Sequence, residues 1–282
     1  MAGMLGVIVL LCLVLYLFLI APRTPRRGQW PAGLLQRDYA HRGLYGGTVP
    51  ENSLPAFDRA AQRGYGIELD VQLTLDGEVV VHHDPTLLRT CGVNRRIADM
   101  NLREIRSYPL GDSGETIPTF QEVLECVHGR APLIVELKTS GRRNEELARK
   151  TYEQLRADGG DYCVESFDPR LTRWFRKNAP EVIRGQLAYD PRLGGPPGHG
   201  ILYWCGANLL MNCVSRPDFV AYCHETDRNL SFRVLRRVFR PVLVAWTVQN
   251  QTTCQRLRSQ YDLQIFEGFE PDPMEKKKEK EP

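Results

Sequence analysis

The chain has 282 residues, 42% of them hydrophobic and 25% charged, with a formal net charge of +3. That length holds one (β/α)₈ barrel of about 250 residues plus a short appendage, and the composition is ordinary for a globular domain. So small a net charge gives no electrostatic case for a nucleic-acid partner. The eight cysteines include no CxxC pair and no tight Cys/His cluster, which excludes a zinc site of ordinary spacing and points to a reducing compartment.

In chain order, residues 1–22 carry no charge, and 4–21 are almost purely aliphatic and aromatic. About 18–22 apolar residues span a hydrocarbon core of roughly 30 Å. A cleaved signal peptide would want a basic start and a small-x-small site after the apolar run, and neither is present. Arg23, Arg26 and Arg27 follow directly, so the positive-inside rule places them in the cytosol. The reading is a single-pass anchor over 1–22, a linker over 23–37, and the rest of the chain on the cytoplasmic side.

Beyond the linker, buried-strand candidates are Asp38–Arg42, Ile67–Thr74, Val79–His83, Leu133–Lys138, Tyr162–Phe167, Gly185–Tyr189, Ala207–Cys213, Val242–Val248 and Gln264–Phe269. Amphipathic helices are expected at Leu54–Gln62, Thr119–Val127, Asn144–Ala157, Pro169–Lys177, Pro217–Glu225 and Gln251–Gln260. Strands alternating with helices imply a parallel sheet, and about eight such units imply a TIM-type α/β barrel over 38–270. Asp76-Gly77 signals one early hairpin. The polar stretch 85–118 breaks the alternation and reads as an insertion. Residues 194–198 read as a second irregular loop, and 271–282 as a disordered charged tail. The oligomeric state is not legible.

The chemistry-bearing residues fall at the ends of the expected strands. His41-Arg42-Gly43 follows the first. Glu68 and Asp70, two apart on the second, share a face, and two carboxylates facing one way repel each other unless a cation lies between them. His82 and His83 end the third, neighbours that point to opposite sides, so only one of them faces the site. Glu136 and Lys138 share a face on the fourth. Barrel chemistry collects at the C-terminal rim. Glu68, Asp70 and Glu136 there make an all-oxygen set suited to one divalent cation, Mg²⁺ or Ca²⁺. His41 and His83 could serve as acid and base, and Arg42 and Lys138 could hold phosphate oxygens. Taken singly, each is commoner as a surface histidine, a solvated acid pair or a simple ion pair. Their joint order on consecutive strands favours a site for an anionic phosphodiester.

These residues, with Glu51-Asn52-Ser53, Ala56-Phe57, Thr74, Asp76-Gly77, Asp84, Ile117-Pro118-Thr119-Phe120, Ser166-Phe167 and Trp246-Thr247-Val248, resemble the glycerophosphodiester phosphodiesterase family over about residues 38–260. The resemblance implies a TIM barrel with a small insertion after the second histidine, matching 85–118. It implies catalytic roles for His41 and His83, metal ligation by Glu68, Asp70 and Glu136, phosphate contacts from Arg42 and Lys138, and a cleft lined by Trp246. The implied reaction gives sn-glycerol 3-phosphate and an alcohol, including a route in which a substrate hydroxyl attacks first and water opens the cyclic phosphate. The last strand departs from the family's Gly-Ile-x-Thr-Asp pattern: it reads Gln264-Ile265-Phe266-Glu267-Gly268, so a reshaped cleft on that side is expected, with the metal carboxylates untouched. The anchor brings lysophospholipids in as candidate substrates. The alternatives are a phospholipase C-like enzyme that releases a cyclic phosphate and an inactive barrel that only binds.

Overall fold

The computed structural model describes residues 2–23, 30–193 and 200–272. Arg26 and Arg27, the loop at 194–198 and nearly all of the charged tail lie outside the described residues.

After an N-terminal helix α1 (Ala2–Ile20), strands and helices alternate: β1 (Tyr39–His41), α2 (Leu54–Gln62), β2 (Gly66–Leu73), β3 (Val79–Val81), α3 (Leu88–Cys91), α4 (Leu102–Ile105), α5 (Phe120–Val127), β4 (Leu133–Leu137), α6 (Asn144–Asp158), β5 (Tyr162–Ser166), α7 (Pro169–Asn178), β6 (Arg184–Ala188), α8 (Ile201–Ala207), α9 (Asn212–Ser215), β7 (Phe219–Cys223), α10 (Leu230–Val238), β8 (Val242–Val248), α11 (Gln251–Leu257) and β9 (Leu263–Phe266). The parallel strands run β1-β9-β8-β7-β6-β5-β4-β2, and β1 pairs with β2 to close the ring. Eight parallel strands ringed by helices make the TIM-type barrel. The Asp76-Gly77 turn folds β3 antiparallel onto the end of β2.

The helices start where their sequence allows. Ser53, Thr119, Asp168, Asn229 and Asn250 each accept a backbone N–H in the first turn of α2, α5, α7, α10 and α11. Such caps satisfy donors that have no partner within the helix. The apolar helix faces pack on outward strand residues such as Leu69, Val71 and Val135, forming the outer core layer. Inside the barrel, Trp30, Leu34, Tyr39 and Phe219 fill the N-terminal end. Gly185 makes room there, because a Cβ at that position would collide with the Phe219 ring. The plugged floor leaves the opposite, C-terminal mouth for polar groups. The insertion between β3 and α5 has its own small core, Leu87, Ile97, Met100, Ile105, Leu110 and Ile117 packed on Val80.

Two expectations fail between β6 and β7. Ala207–Cys213 is not a strand: it is the end of α8, a turn and the start of α9, with Leu209 at a φ of +57° that no strand accommodates. Pro217–Glu225 is not a helix: it contains β7, and α10 follows it. The errors share a cause. Leu209-Leu210-Met211 is a short apolar run, whose periodicity does not separate strand from helix. Every residue of β7 is buried, as on a parallel strand covered on both faces, so the strand shows no alternation, and Pro217 imitates a helix start. The eight cysteines are free thiols.

Candidate active site

Strand register assembles the polar cluster. His41 lies opposite Glu68 across β1–β2, Asp70 opposite Glu136 across β2–β4, and Glu136 opposite Glu165 across β4–β5. Neighbours in register point the same way, so these side chains meet inside the C-terminal mouth. Glu68, Asp70 and Glu136 are buried and offer oxygen atoms all within 4.8 Å of one another. Lys138 reaches into the group, with Nζ 2.8 Å from Asp70 and 2.7 Å from Glu136. Asn52 donates to Asp70 at 2.9 Å, and the Arg42 backbone N–H donates to Glu68 at 3.1 Å.

Arg42 and Asn52 both take positive φ, +56° and +52°, a conformation that costs non-glycine residues on the order of 1–3 kcal/mol and collects at functional sites. Here it turns the Arg42 N–H onto Glu68 and the Asn52 amide onto Asp70. Gly43 continues the turn at φ +80°, where a Cβ would lie 2.9 Å from Ala56.

Each candidate histidine is tied to a carboxylate through Nδ1. His41 Nδ1 lies 2.6 Å from Glu267, and its Nε2 lies 3.9 Å from Glu68. His83 Nδ1 lies 2.7 Å from Asp84. An Nδ1–H donated to a carboxylate orients the ring and leaves Nε2 for chemistry. Both carboxylates are anchored in turn. Glu267 accepts from Tyr45 at 3.0 Å and from Gln249 at 2.8 Å. Arg89 donates to Asp84 at 2.6 Å and makes a two-pronged contact with Glu51, which also binds Arg42 at 2.8 Å.

His82 is turned away and buried. Its Nδ1 donates to the Asp84 carbonyl at 2.9 Å, and its Nε2 accepts from the Thr90 hydroxyl at 2.8 Å. Removing a buried hydrogen-bonding group leaves its partners unsatisfied at about 1–3 kcal/mol. His82→Ala is therefore expected to lower unfolding stability by that amount in denaturant titrations while turnover stays within a fewfold of the parent.

Charge is unevenly balanced. Burial lifts Glu68 far above the usual carboxylate range, with Asp70 and Glu136 adding to the effect. Burial also lifts Glu136, to about 7, against the pull of Lys138. Asp70 is the exception: Lys138 and Arg42 outweigh its burial and hold it ionised. Glu165 is fully buried, with one oxygen unpartnered among the described residues, and burial and Glu136 raise it strongly. Four buried carboxyl groups thus face one lysine and one arginine. A hard divalent cation bound by oxygen ligands would relieve that shortage of positive charge, so the residues present fit one. Burial drives His83 down to about 4, the leading effect, so it is neutral near pH 7.

Trp246 stands on the same rim, 5.6 Å from the Phe167 ring and 6.3 Å from Tyr189, an aromatic wall beside the carboxylates. Where the last strand departs from the expected pattern, a 320 Å³ pocket opens beside Glu267, lined by Tyr45, Arg59 and Glu270 among others. The sequence assigns no site role to Glu267, to Asp84 with Arg89, or to Glu165. Of these, Glu165 carried a usable signal, an acid facing inward on an otherwise apolar strand; Glu267 lies 226 residues from its partner.

The glycerophosphoryl diester phosphodiesterase family model matches residues 41–264. A Bacillus subtilis relative is 30% identical over 230 residues, 78% of this chain and 89% of its own length. A glycerophosphodiester phosphodiesterase of Caldanaerobacter subterraneus is 44% identical over 158 residues, 52% of this chain and 65% of that one. Among solved structures, an Oleispira antarctica phosphodiesterase in complex with the product sn-glycerol-3-phosphate superposes with a TM-score of 0.68 at 23% identity, over 83% of this chain and 93% of that one. The Thermotoga maritima glycerophosphodiester phosphodiesterase gives 0.63 at 27% identity, over 82% and 94%. The match covers the barrel from the first candidate histidine to the last strand, and the chain belongs to the glycerophosphoryl diester phosphodiesterase family.

Proposed function

We propose that the chain hydrolyses glycerophosphodiesters to sn-glycerol 3-phosphate and an alcohol at the cluster of His41, Glu68, Asp70, His83 and Glu136. The observation that carries this reading is the buried trio of carboxylates with two histidines, each held through Nδ1 by its own acid. Glu68, Asp70 and Glu136 would hold one Mg²⁺ or Ca²⁺, which when bound polarises a phosphoryl oxygen and lowers the pKa of an attacking hydroxyl.

The acid and base roles follow from the surroundings. Burial favours neutral His83, so His83 takes the proton from the attacking oxygen, either water or a neighbouring substrate hydroxyl. The new P–O bond forms as the bond to the alcohol breaks. His41 remains as the acid by elimination and passes its proton to the departing oxygen. If the substrate hydroxyl attacks, water opens the resulting cyclic phosphate in a second step with the roles reversed. Arg42 and Lys138 supply positive charge for the non-bridging oxygens, and Trp246 with Phe167 forms the wall for the alcohol portion. A panel of glycerophosphodiesters assayed with each cation tests the reading: sn-glycerol 3-phosphate is the expected product, and accumulation of a stable cyclic phosphate would instead support the phospholipase C-like alternative.

The same reading includes the membrane. Helix α1 is long and apolar enough to span, and its residues 3–15 are exposed. A single-pass anchor with the barrel on the cytoplasmic side holds the site near lipid and raises the effective concentration of membrane-resident substrates such as lysophospholipids. We expect full-length protein to exceed a chain starting at Trp30 on lysolipid in vesicles, while the two act equally on a soluble diester. Equal activity on both substrates would show that membrane proximity plays no part in substrate choice.

A further inference from the structure

Helix α1 does not stand clear of the barrel. Tyr16 donates to Ser231 at 2.9 Å, Asn212 donates to the Ile20 carbonyl at 2.9 Å, and Arg216 donates to the carbonyls of Phe18 at 3.1 Å and Ala21 at 2.7 Å. The following residue pairs, Arg23 with Pro180 and Pro217, hold at 2.8 Å each. Pro180 and Pro217 precede β6 and β7, at the N-terminal end of the barrel. Ser231 opens α10 after β7, at the C-terminal end. The docked turn therefore descends the barrel wall away from the catalytic mouth, and the exposed residues 3–15 leave on the catalytic side.

Length then sets depth. Residues 3–15, exposed along their length, rise about 20 Å at about 1.5 Å per residue, short of the roughly 30 Å hydrocarbon core. The whole 19-residue helix reaches about 28 Å, so a spanning α1 draws the rim beside Tyr16 down to the lipid interface. Large apolar side chains stand exposed at that level, alongside the charged Arg192, Glu225 and Arg228. Leu230, next to Ser231, is 70% exposed, and α8 exposes Ile201 at 68% and Leu202 at 75%, followed by Tyr203 and Trp204. A run of this kind on a protein surface marks an interaction site. It is continuous with the anchor: Ser231 donates to Asn208 at 3.2 Å, and Asn208 donates back to the Trp204 carbonyl at 2.8 Å. Tyr189, which follows β6 on the way to α8, packs against Trp246.

We propose that α8 and Leu230 form a second, shallow membrane contact, which seats the catalytic rim in the interface of the same bilayer that α1 spans. Substrate then enters along the aromatic wall with its hydrocarbon chain still in lipid. The proposal rests on the anchor reading above.

The test uses full-length protein in phosphatidylcholine–phosphatidylglycerol vesicles whose acyl chains are brominated near the headgroup. The chain has four tryptophans, so Trp204 is identified by difference: the bromolipid is expected to quench a component of the emission that Trp204→Phe removes. Equal quenching in both proteins, with α1 still resistant to detergent-free extraction, overturns the α8 contact and leaves the anchor standing. Extraction without detergent overturns both. As a second readout, Ile201→Asp with Leu202→Asp should lower turnover of lysolipid in vesicles by about tenfold, the order expected for losing shallow apolar insertion, and leave a water-soluble diester unaffected. Equal losses on both substrates would mean that α8 supports the barrel and not the membrane contact.

Discussion

Alanine at His41 or at His83 is expected to lower kcat/KM on a glycerophosphodiester by about 10²–10⁴-fold, the usual worth of one acid–base group. The two losses should differ in character. His83 is neutral near pH 7 because burial pushes it to about 4, so its loss removes the base that activates the nucleophile. Substrates with a good leaving group still need that base and should rescue His83→Ala little. They need less help from an acid, so the same substrates should rescue His41→Ala far more. His82, one residue away but bound to Asp84 and Thr90, is the internal control. A loss at His82 equal to that at His83 would mean that the wrong ring has been placed in the site.

Asparagine at Asp70, or glutamine at Glu136, is expected to reduce turnover by at least about 10³-fold, since the stabilisation a metal ion gives to a phosphoryl transition state is several kcal/mol. The cation should also carry a pH signature that needs no substrate. Burial raises Glu136 to about 7 from an ordinary carboxylate value, and burial also raises Glu68 well above that ordinary value. A group whose folded pKa is raised contributes stability below its unfolded pKa and loses it as pH rises through the folded value. The cation-free protein should therefore lose stability from about pH 4.5 through 7 on this account. A cation must displace those protons, so its increment to Tm should be larger at pH 8 than at pH 5.5. An increment independent of pH, or one that survives Asp70→Asn, would detach the cation from these carboxylates.

The parts of this arrangement that the sequence displays are those set by strand periodicity. Glu68 with Asp70 and Glu136 with Lys138 each share a face because side chains two apart on a strand must, and register then brings the pairs together. The separate fates of His82 and His83 match the alternation expected of strand neighbours, although β3 itself ends at Val81. What the sequence hides depends on approach through space. Glu267 meets His41 only because β9 closes the ring beside β1. The Arg42–Glu51–Arg89–Asp84 chain exists because the insertion folds back over the mouth. The β6–β7 connection was misread because buried apolar runs look alike as strand or helix, and the docking of α1 on Asn212 and Arg216 has no local signature at all. The central carboxylates are a local pattern; the groups that orient the histidines are a property of the closed barrel.

The most direct test of the central claim is ³¹P NMR of a soluble glycerophosphodiester incubated with the protein and Mg²⁺ or Ca²⁺, with and without chelator. The expected result is conversion of the diester resonance to that of sn-glycerol 3-phosphate, stopped by chelator and restored by added cation. An unchanged diester resonance in the presence of either cation would contradict it, as would turnover indifferent to chelator.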